Sequence, residues 1–149
     1  MSVSVQEADF DVGAELAALS SGRQDVGAVA SFVGLVRADK AAVAAMTLEH
    51  YPGMTEKALD AIVAEAQGRW DIHGVRVIHR VGRLLPGDRI VMVAVASAHR
   101  GEAFAACEFI MDYLKTRAPF WKKEEMPDGA RWVDARDSDE QAASRWGAD

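Results

Sequence analysis

Residues 109–124 read Phe-Ile-Met-Asp-Tyr-Leu-Lys-Thr-Arg-Ala-Pro-Phe-Trp-Lys-Lys-Glu. An apolar pattern with helical spacing runs up to Leu114, and Pro119 ends it because proline has no backbone N–H and clashes with the preceding turn. The segment holds four basic and two acidic residues, so positive charge gathers where a helix must end and the chain must turn. With Phe120 and Trp121 beside it, this corner suits the binding of a small anionic ring compound.

The protein as a whole is acidic. It has 149 residues, a net charge of -6 at pH 7 and a pI near 5.2. Half of the residues are hydrophobic and 27% are charged, which is typical of a globular domain with a buried core rather than a disordered chain. No long basic stripe is present to neutralise phosphates, so nucleic acid is excluded as the main partner.

Cysteine content and local motifs narrow the function classes further. Cys107 is the single cysteine, so the sequence has neither an intramolecular disulfide nor a cysteine cluster for zinc or iron–sulfur. It falls on the apolar stripe of a predicted helix, where cysteine packs as a small hydrophobic residue. We find no phosphate-binding loop, nucleophile elbow or paired-carboxylate motif, and we expect no metal or other cofactor.

The N-terminus shows no secretion signal, because no basic region precedes an apolar core. No apolar run approaches the about 18 residues of a membrane span. We therefore expect a cytoplasmic protein without membrane contact.

Residue patterns predict strands that follow one another in pairs. Strands are expected at 3–5, 26–36, 46–51, 75–81, 90–98, 120–126 and 131–135, and helices at 12–19, 55–70, 100–117 and 138–146. Ser138 and Gln141 are expected to form a capping box at the last helix. The segment 38–45 is alanine-rich and fits either a helix or a connector. The predicted class is α+β, one domain over residues 1–149 with a mostly antiparallel sheet and about four helices.

Two lysines at the corner are the first candidate site residues. Lys115 lies three residues after Asp112 in the last helical turn, so an ordinary surface ion pair and the helix dipole explain it at least as well as a catalytic role. Lys122 follows the corner directly. Strand alternation puts Lys122 on the same face as Phe120 and opposite Trp121, although a solvated surface charge is an alternative.

A second candidate is the step His99-Arg100, where a buried strand enters a helix. Backbone N–H groups joined by an imidazole and a guanidinium make an anion site, and a simple capping arrangement explains the step equally well. Arg37, which follows another buried strand, is either a phosphate ligand or a surface charge. The remaining histidines lack metal-ligand spacing and are interpreted as strand or loop residues: His50, His73 and His79.

Seven segments carry a resemblance to a known family: 32–37, 48–54, 77–82, 86–88, 97–100, 109–124 and 131–136. They resemble the large, catalytic subunit of molybdopterin synthase, the MoaE family. The likeness covers about residues 26–146. Its most specific parts are the Ala-His-Arg step that ends at Arg100 and the Lys-Thr-Arg-Ala-Pro-Phe-Trp-Lys run that ends at Lys122. The alanine-rich segment 38–45 departs from the family pattern.

The resemblance implies an α/β-hammerhead fold and a homodimer within a heterotetramer. Each half of the dimer would bind a small ubiquitin-like sulfur-carrier subunit whose C-terminal Gly-Gly tail ends in a thiocarboxylate. The implied reaction moves two sulfurs onto cyclic pyranopterin monophosphate and forms the dithiolene of molybdopterin, a sulfurtransferase step of molybdenum cofactor biosynthesis.

The resemblance also assigns roles to residues. It implies that Lys115 and Lys122 are catalytic. It implies a substrate site built from Phe32, Arg37, His99, Arg100, Lys122 and Arg136. Of these, His99 and Arg100 would serve the site across the dimer.

That chemistry suits the residues present. A thiocarboxylate is itself an anionic nucleophile, so the chain needs no reactive sulfur of its own, in agreement with a buried Cys107. The chain would supply positive charge for the tail, for the phosphate and for oxyanions that form during transfer. Because neighbouring cations lower one another's proton affinity, Lys115 is a candidate general acid or base.

Two other classes of function stay open. One is a non-catalytic scaffold that binds a pterin or another small anion without turnover. The other is an enzyme that forms a lysine Schiff base with a carbonyl substrate, which borohydride trapping would detect.

Overall fold

The computed structural model of the protein describes residues 2–38, 43–127, 129–133 and 137–147, with the backbone alone at 137 and 138. The described residues form eight strands and four helices. In chain order these are β1 (Val3–Gln6), α1 (Val12–Ser20), β2 (Ala28–Leu35), β3 (Ala45–His50), α2 (Met54–Arg69), β4 (Ile72–Arg80), β5 (Gly82–Leu84), β6 (Arg89–Ser97), α3 (Arg100–Arg117), β7 (Phe120–Met126), β8 (Gly129–Val133) and α4 (Asp137–Ser144). The predicted α+β class with mostly antiparallel pairing is confirmed. Within these ranges, no helix is long and apolar enough to cross a membrane.

The first sheet has the strand order β1-β4-β6-β2, in which β1 and β4 are parallel and the other pairs antiparallel. Its strand β6 is buried on both faces. Val91, Val93 and Val95 pack into the main core with α2 and α3, whereas Met92 and Ala94 pack in a smaller core with residues of α1. Because both faces of β6 are covered, its sequence is a continuous apolar run and does not alternate between apolar and polar residues.

A second sheet has the order β5-β3-β7-β8 and is antiparallel throughout. The sequence patterns predicted a single sheet and missed β5, whose three residues are too few to show alternation. Gly82 has φ 89°, a conformation that glycine adopts without strain, and it stands where the chain leaves β4 for β5. A small core lies under this sheet and contains Val36, Met46, Leu48 and Leu84.

Thr55, at the start of α2, holds the corner between α3 and β7. Its buried hydroxyl donates a hydrogen bond to the carbonyl oxygen of Pro119 at 2.9 Å. The hydroxyl oxygen of Thr55 also accepts a bond from the backbone N–H of Tyr51, again at 2.9 Å. The predicted break after Arg117 is confirmed, and the chain that follows it is tied to the start of α2.

The C-terminal segment is fastened to the main core at Trp146. Its indole Nε1 donates to the carboxylate of Asp112 at 2.6 Å, and its carbonyl oxygen accepts from Nη1 of Arg69 at 2.7 Å. The predicted capping box is wrong, because the helix already includes Ser138 and stops at Ser144, before Trp146. The indole ring meets two core aromatic rings edge-on, those of Trp70 and Phe109.

Candidate active site

A cavity of about 380 Å³ lies at the C-terminal end of α3, where residues of both sheets and of α4 converge. Its apolar wall includes Met46 and Leu48 of the small core together with Leu114 of α3. The polar and aromatic side chains that line it are Arg37, His79, Lys115, Phe120, Lys122, Glu124 and Asp139. An apolar pocket with a few charged groups at one end is a common form of binding site for a small molecule.

Both lysines singled out in the sequence line this cavity. Lys115 is exposed and comes from the last turn of α3, whereas Lys122 is half-buried and comes from β7. Arg37, just beyond β2, lines the same space. As strand alternation predicted, Phe120 faces the cavity with Lys122, and Trp121 is turned to the outer face and 48% exposed.

Two carboxylates line the cavity beside these cations. Glu124 lies on β7, and its Oε1 is 3.5 Å from Nη2 of Arg131. Asp139 comes from α4. Among the lining residues in the described part of the chain there are thus three cations and two carboxylates, so the cavity carries a small positive excess within an acidic protein.

Three polar lining residues were not candidates in the sequence, namely His79, Glu124 and Asp139, and His79 is the buried one. It is 4% exposed, and its ring stacks on that of Phe120 with the centroids 3.8 Å apart and the planes 17° apart. Its Nδ1 lies 2.9 Å from the carbonyl oxygen of Arg80. Burial lowers the pKa of His79 to about 3, the bond to Arg80 opposes this change, and the charges of Lys115 and Lys122 add to it. The imidazole is therefore neutral near pH 7.

A signal for His79 was available in the sequence. It shares the inward face of β4 with Val75 and Val77, both of which are buried. A histidine on such a face is enclosed by the core, and this one stands near the end of its strand. The spacing of metal ligands along the sequence gives no signal for a single buried histidine.

The step His99-Arg100 lies at the opposite end of α3 from the lysines. Both side chains are exposed and line a separate, shallow depression beside Gly27. Lys115 comes fifteen positions after Arg100, which is about 22 Å along a helix. A single chain therefore does not bring His99 and Arg100 to the cavity that holds Lys115.

The two remaining candidate site residues, Phe32 and Arg136, are not among the described residues that line the cavity, for different reasons. Phe32 is 44% exposed on β2 and is absent from the described residues that line the cavity. Arg136 lies outside the described residues. Across the ranges that the structure describes, no group of three or more His, Cys, Asp or Glu side chains could hold a metal ion.

Comparison with known proteins identifies the family. Residues 5–117 match the family model described as MoaE protein. The chain belongs to the MoaE family. This MoaE-family chain is 67% identical over 147 residues to the molybdopterin synthase catalytic subunit of Ralstonia nicotianae, an alignment that covers 97% of the chain and 84% of that relative. The resemblance predicted from the sequence is confirmed.

Solved structures agree with this assignment. The MoaE protein from Burkholderia ambifaria matches with a TM-score of 0.86 and 61% identity, over 99% of each chain. At 18% identity, a protein in the complex of subunits 1 and 2 of molybdopterin-converting factor from Helicobacter pylori has the same fold, with a TM-score of 0.77 over 91% of this chain and 92% of that one.

Proposed function

We propose that this chain is the catalytic subunit of a molybdopterin synthase, a sulfurtransferase of molybdenum cofactor biosynthesis. The observation that carries the proposal is the shared cavity of Lys115, Lys122 and Arg37 in a chain of the MoaE family. The proposed substrate, cyclic pyranopterin monophosphate, combines a phosphate with a flat ring system. Cations suit the phosphate, and the apolar wall with Phe120 suits the ring.

The proposed sulfur donor is a small ubiquitin-like subunit whose Gly-Gly tail ends in a thiocarboxylate. Its sulfur bonds to a carbon of the substrate as the bond from that carbon to an oxygen breaks and the oxygen leaves with the electron pair. Water then breaks the bond between that sulfur and the tail's carbonyl carbon, and the sulfur stays on the substrate as a thiolate. The tail leaves as a carboxylate, and two tails supply the two sulfurs of the dithiolene. The Helicobacter pylori protein of the same fold was solved in a complex of two different subunits, which supports a second subunit here.

Lys115 and Lys122 are the proposed catalytic residues. Lys115 stabilises the oxyanion that forms at the tail's carbonyl during release of the sulfur, because an ammonium group held at such a position acts in the transition state without reorganisation. Lys122 and Arg37 bind the substrate phosphate and hold the pterin against the apolar wall. Removal of one such donor commonly costs about 100-fold to 1000-fold in rate.

The rest of the proposed substrate site comes from a second copy of the chain. The length of α3 keeps His99 and Arg100 about 22 Å from Lys115, so they do not reach the cavity of their own chain. As the family resemblance implies, we propose that these two cations serve the partner's cavity in a homodimer within a heterotetramer. Phe32 and Arg136 are retained as substrate-binding residues in the same proposal. We place the activity in the cytoplasm.

The test is reconstitution of the reaction. The chain is mixed with a thiocarboxylated small subunit and cyclic pyranopterin monophosphate, and the dithiolene product is measured. Lys122→Ala should lower the rate by about 100-fold or more. Lys123→Ala is the matched control, because Lys123 is the next residue on the opposite strand face, 5.3 Å above the ring of Trp132, and should leave the rate within about twofold.

The same assay separates the catalytic proposal from a binding scaffold. Lys115→Ala should abolish most of the turnover, while Lys57→Ala, which removes an exposed lysine of α2, should not. A scaffold would bind the pterin without product from the wild-type chain, and Lys115→Ala would change affinity alone. Absence of product in the presence of a small subunit that demonstrably binds would overturn the proposed function.

A further inference from the structure

The cavity has one uncharged polar side chain among its described lining residues, and it is His79. The cations of the cavity can only donate hydrogen bonds, and its carboxylates can only accept them while ionised. A neutral imidazole does both, with one nitrogen for each task. Which nitrogen faces the ligand decides what kind of group the cavity can recognise there.

The tautomer of His79 follows from its backbone contact. A carbonyl oxygen only accepts hydrogen bonds, so the nitrogen 2.9 Å from the carbonyl of Arg80, Nδ1, must carry the proton and donate it. The ring is neutral, because burial disfavours the imidazolium form and the nearby charges of Lys115 and Lys122 oppose it as well. Nε2 is then left with a lone pair.

The orientation of that lone pair is fixed. The stack on Phe120 holds the imidazole plane, and the bond to Arg80 holds its rotation within that plane. In the described part of the chain, the hydrogen bond of the His79 ring is the one made by Nδ1, and His79 lines the cavity. The structure therefore offers a preorganised acceptor that a ligand in the cavity can use.

We propose that His79 binds the substrate directly, with Nε2 accepting a hydrogen bond from an N–H group of the pyranopterin ring. This inference rests on the proposed function. A pterin ring edge presents uncharged N–H donors, and a buried N–H without a partner weakens binding. Lys115, Lys122 and Arg37 cannot accept from it. A neutral acceptor pairs with a neutral donor without adding a charge to the cavity, so the positive excess stays available to the phosphate.

Two substitutions separate the two nitrogens of His79. In His79→Asn the side-chain amide can still reach the carbonyl of Arg80, but it is too short to place an acceptor at the position of Nε2. In His79→Gln the longer side chain can place its carbonyl oxygen there. We expect KM for cyclic pyranopterin monophosphate to rise about tenfold or more in His79→Asn and by less than about threefold in His79→Gln. KM for the thiocarboxylated small subunit should stay unchanged in both.

The opposite order, with Asn tolerated and Gln impaired, would overturn the proposal. So would a fall in kcat with an altered pH profile and an unchanged KM, since that pattern assigns His79 to the positioning of Lys115 instead. Thermal unfolding of both variants establishes that they fold.

A measurement on the unmodified protein tests the proposal without any variant. In wild-type protein labelled with ¹⁵N-histidine, addition of cyclic pyranopterin monophosphate should shift the Nε2 resonance of His79 toward the hydrogen-bonded position and leave Nδ1 in place. An unmoved Nε2 resonance with saturating ligand bound overturns the inference while the proposed function stands. If the wild-type protein forms no dithiolene product, the proposed function itself is overturned, and not this inference alone.

Discussion

The thiol of Cys107 lies against β6, one of the two inner strands of the first sheet, with Sγ 3.5 Å from the carbonyl oxygen of Val93. It is 6% exposed, and burial, with a smaller contribution from Glu108, raises its pKa to about 11. The group is therefore a protonated thiol near pH 7, and a thiolate is the form that reacts. We predict that iodoacetamide leaves the native enzyme active and labels Cys107 only after denaturation. Rapid loss of activity with labelling of the native chain would contradict this.

His79 makes stability depend on pH. Its pKa is about 3 in the folded protein against 6.5 for the free side chain, so below about pH 6.5 the unfolded chain binds a proton that the folded chain does not. Its contribution to the free energy of unfolding is complete above that pH and should fall by about 1.4 kcal/mol per pH unit on acidification. The charged and titratable groups around it are Lys115, Lys122, His50, Arg37, Glu124 and Asp139.

The comparison is urea unfolding of wild type and His79→Gln between about pH 6.5 and 5, a range above the ordinary titration of carboxyl groups. Contributions shared by the two proteins cancel in the difference. The wild type should lose stability faster than His79→Gln as the pH falls. Equal slopes would show that His79 takes up its proton in the folded state.

At the scale of residues, the sequence identified the three cations that line the cavity, Arg37, Lys115 and Lys122, but not the uncharged His79. Lys115 and Lys122 could be found because a helix stop and strand alternation determine where they lie. The neutral state of His79 depends on its burial against Phe120, 41 residues further on, and on charges from α3 and β7. Such an environment exists only after folding.

At the scale of elements, Thr55 joins the start of α2 to the corner before β7. We predict that Thr55→Val destabilises the protein by about 1–3 kcal/mol, because the carbonyl of Pro119 and the N–H of Tyr51 both lose a buried partner while the volume stays the same. The rate of sulfur transfer should fall as well, since Lys122 follows this corner. Urea unfolding and the dithiolene assay measure the two effects.

Thr55→Ser is the control for this prediction. It keeps the hydroxyl and removes one methyl group, so it should retain most of the activity. Loss of activity in the Ser variant equal to that in the Val variant would show that packing, and not the hydrogen bonds, holds the corner.

Elements with strong periodic patterns were predicted well, as α2, α3 and β6 illustrate. The second sheet was not, because β5 has three residues and joins β3 across a long stretch of chain. Short strands paired with distant partners carry little local signal. The start of α4 was misplaced because a Ser and a Gln three residues apart also occur inside helices.

For the whole molecule, the proposed site predicts complementation between two inactive chains. If Arg100 of one chain serves the cavity of the other, Lys115→Ala and Arg100→Ala should each be inactive as homodimers. A mixed dimer of the two would contain one site with both residues intact. After unfolding and refolding of an equal mixture, about a quarter of all sites should be active, because half of the dimers are mixed.

The control is the same mixture assayed without refolding, in which chains do not exchange. Recovery of activity only after exchange supports a shared site. No recovery, with mixed dimers verified by differently tagged chains, would place Arg100 outside the partner's site.

The shape of the cavity could not be predicted from the sequence. Its wall combines β2, β3, β4, β6, β7, β8, α3 and α4, so it depends on how two sheets meet. The cluster of basic residues at 115–123 in an acidic protein was a usable signal, because residues that are close along the chain stay close after folding.

The helix α3 begins with Arg100 and carries Lys115 in its last turn, and the buried face between them holds it against the first sheet. The helix therefore fixes both the distance between Arg100 and Lys115 and the angle between them about the helix axis. Insertion or deletion of a single residue would turn one end by about 100° relative to the other and move it by about 1.5 Å. Aligned family members should then show no gaps between these two positions, however much the surface residues of the helix have diverged.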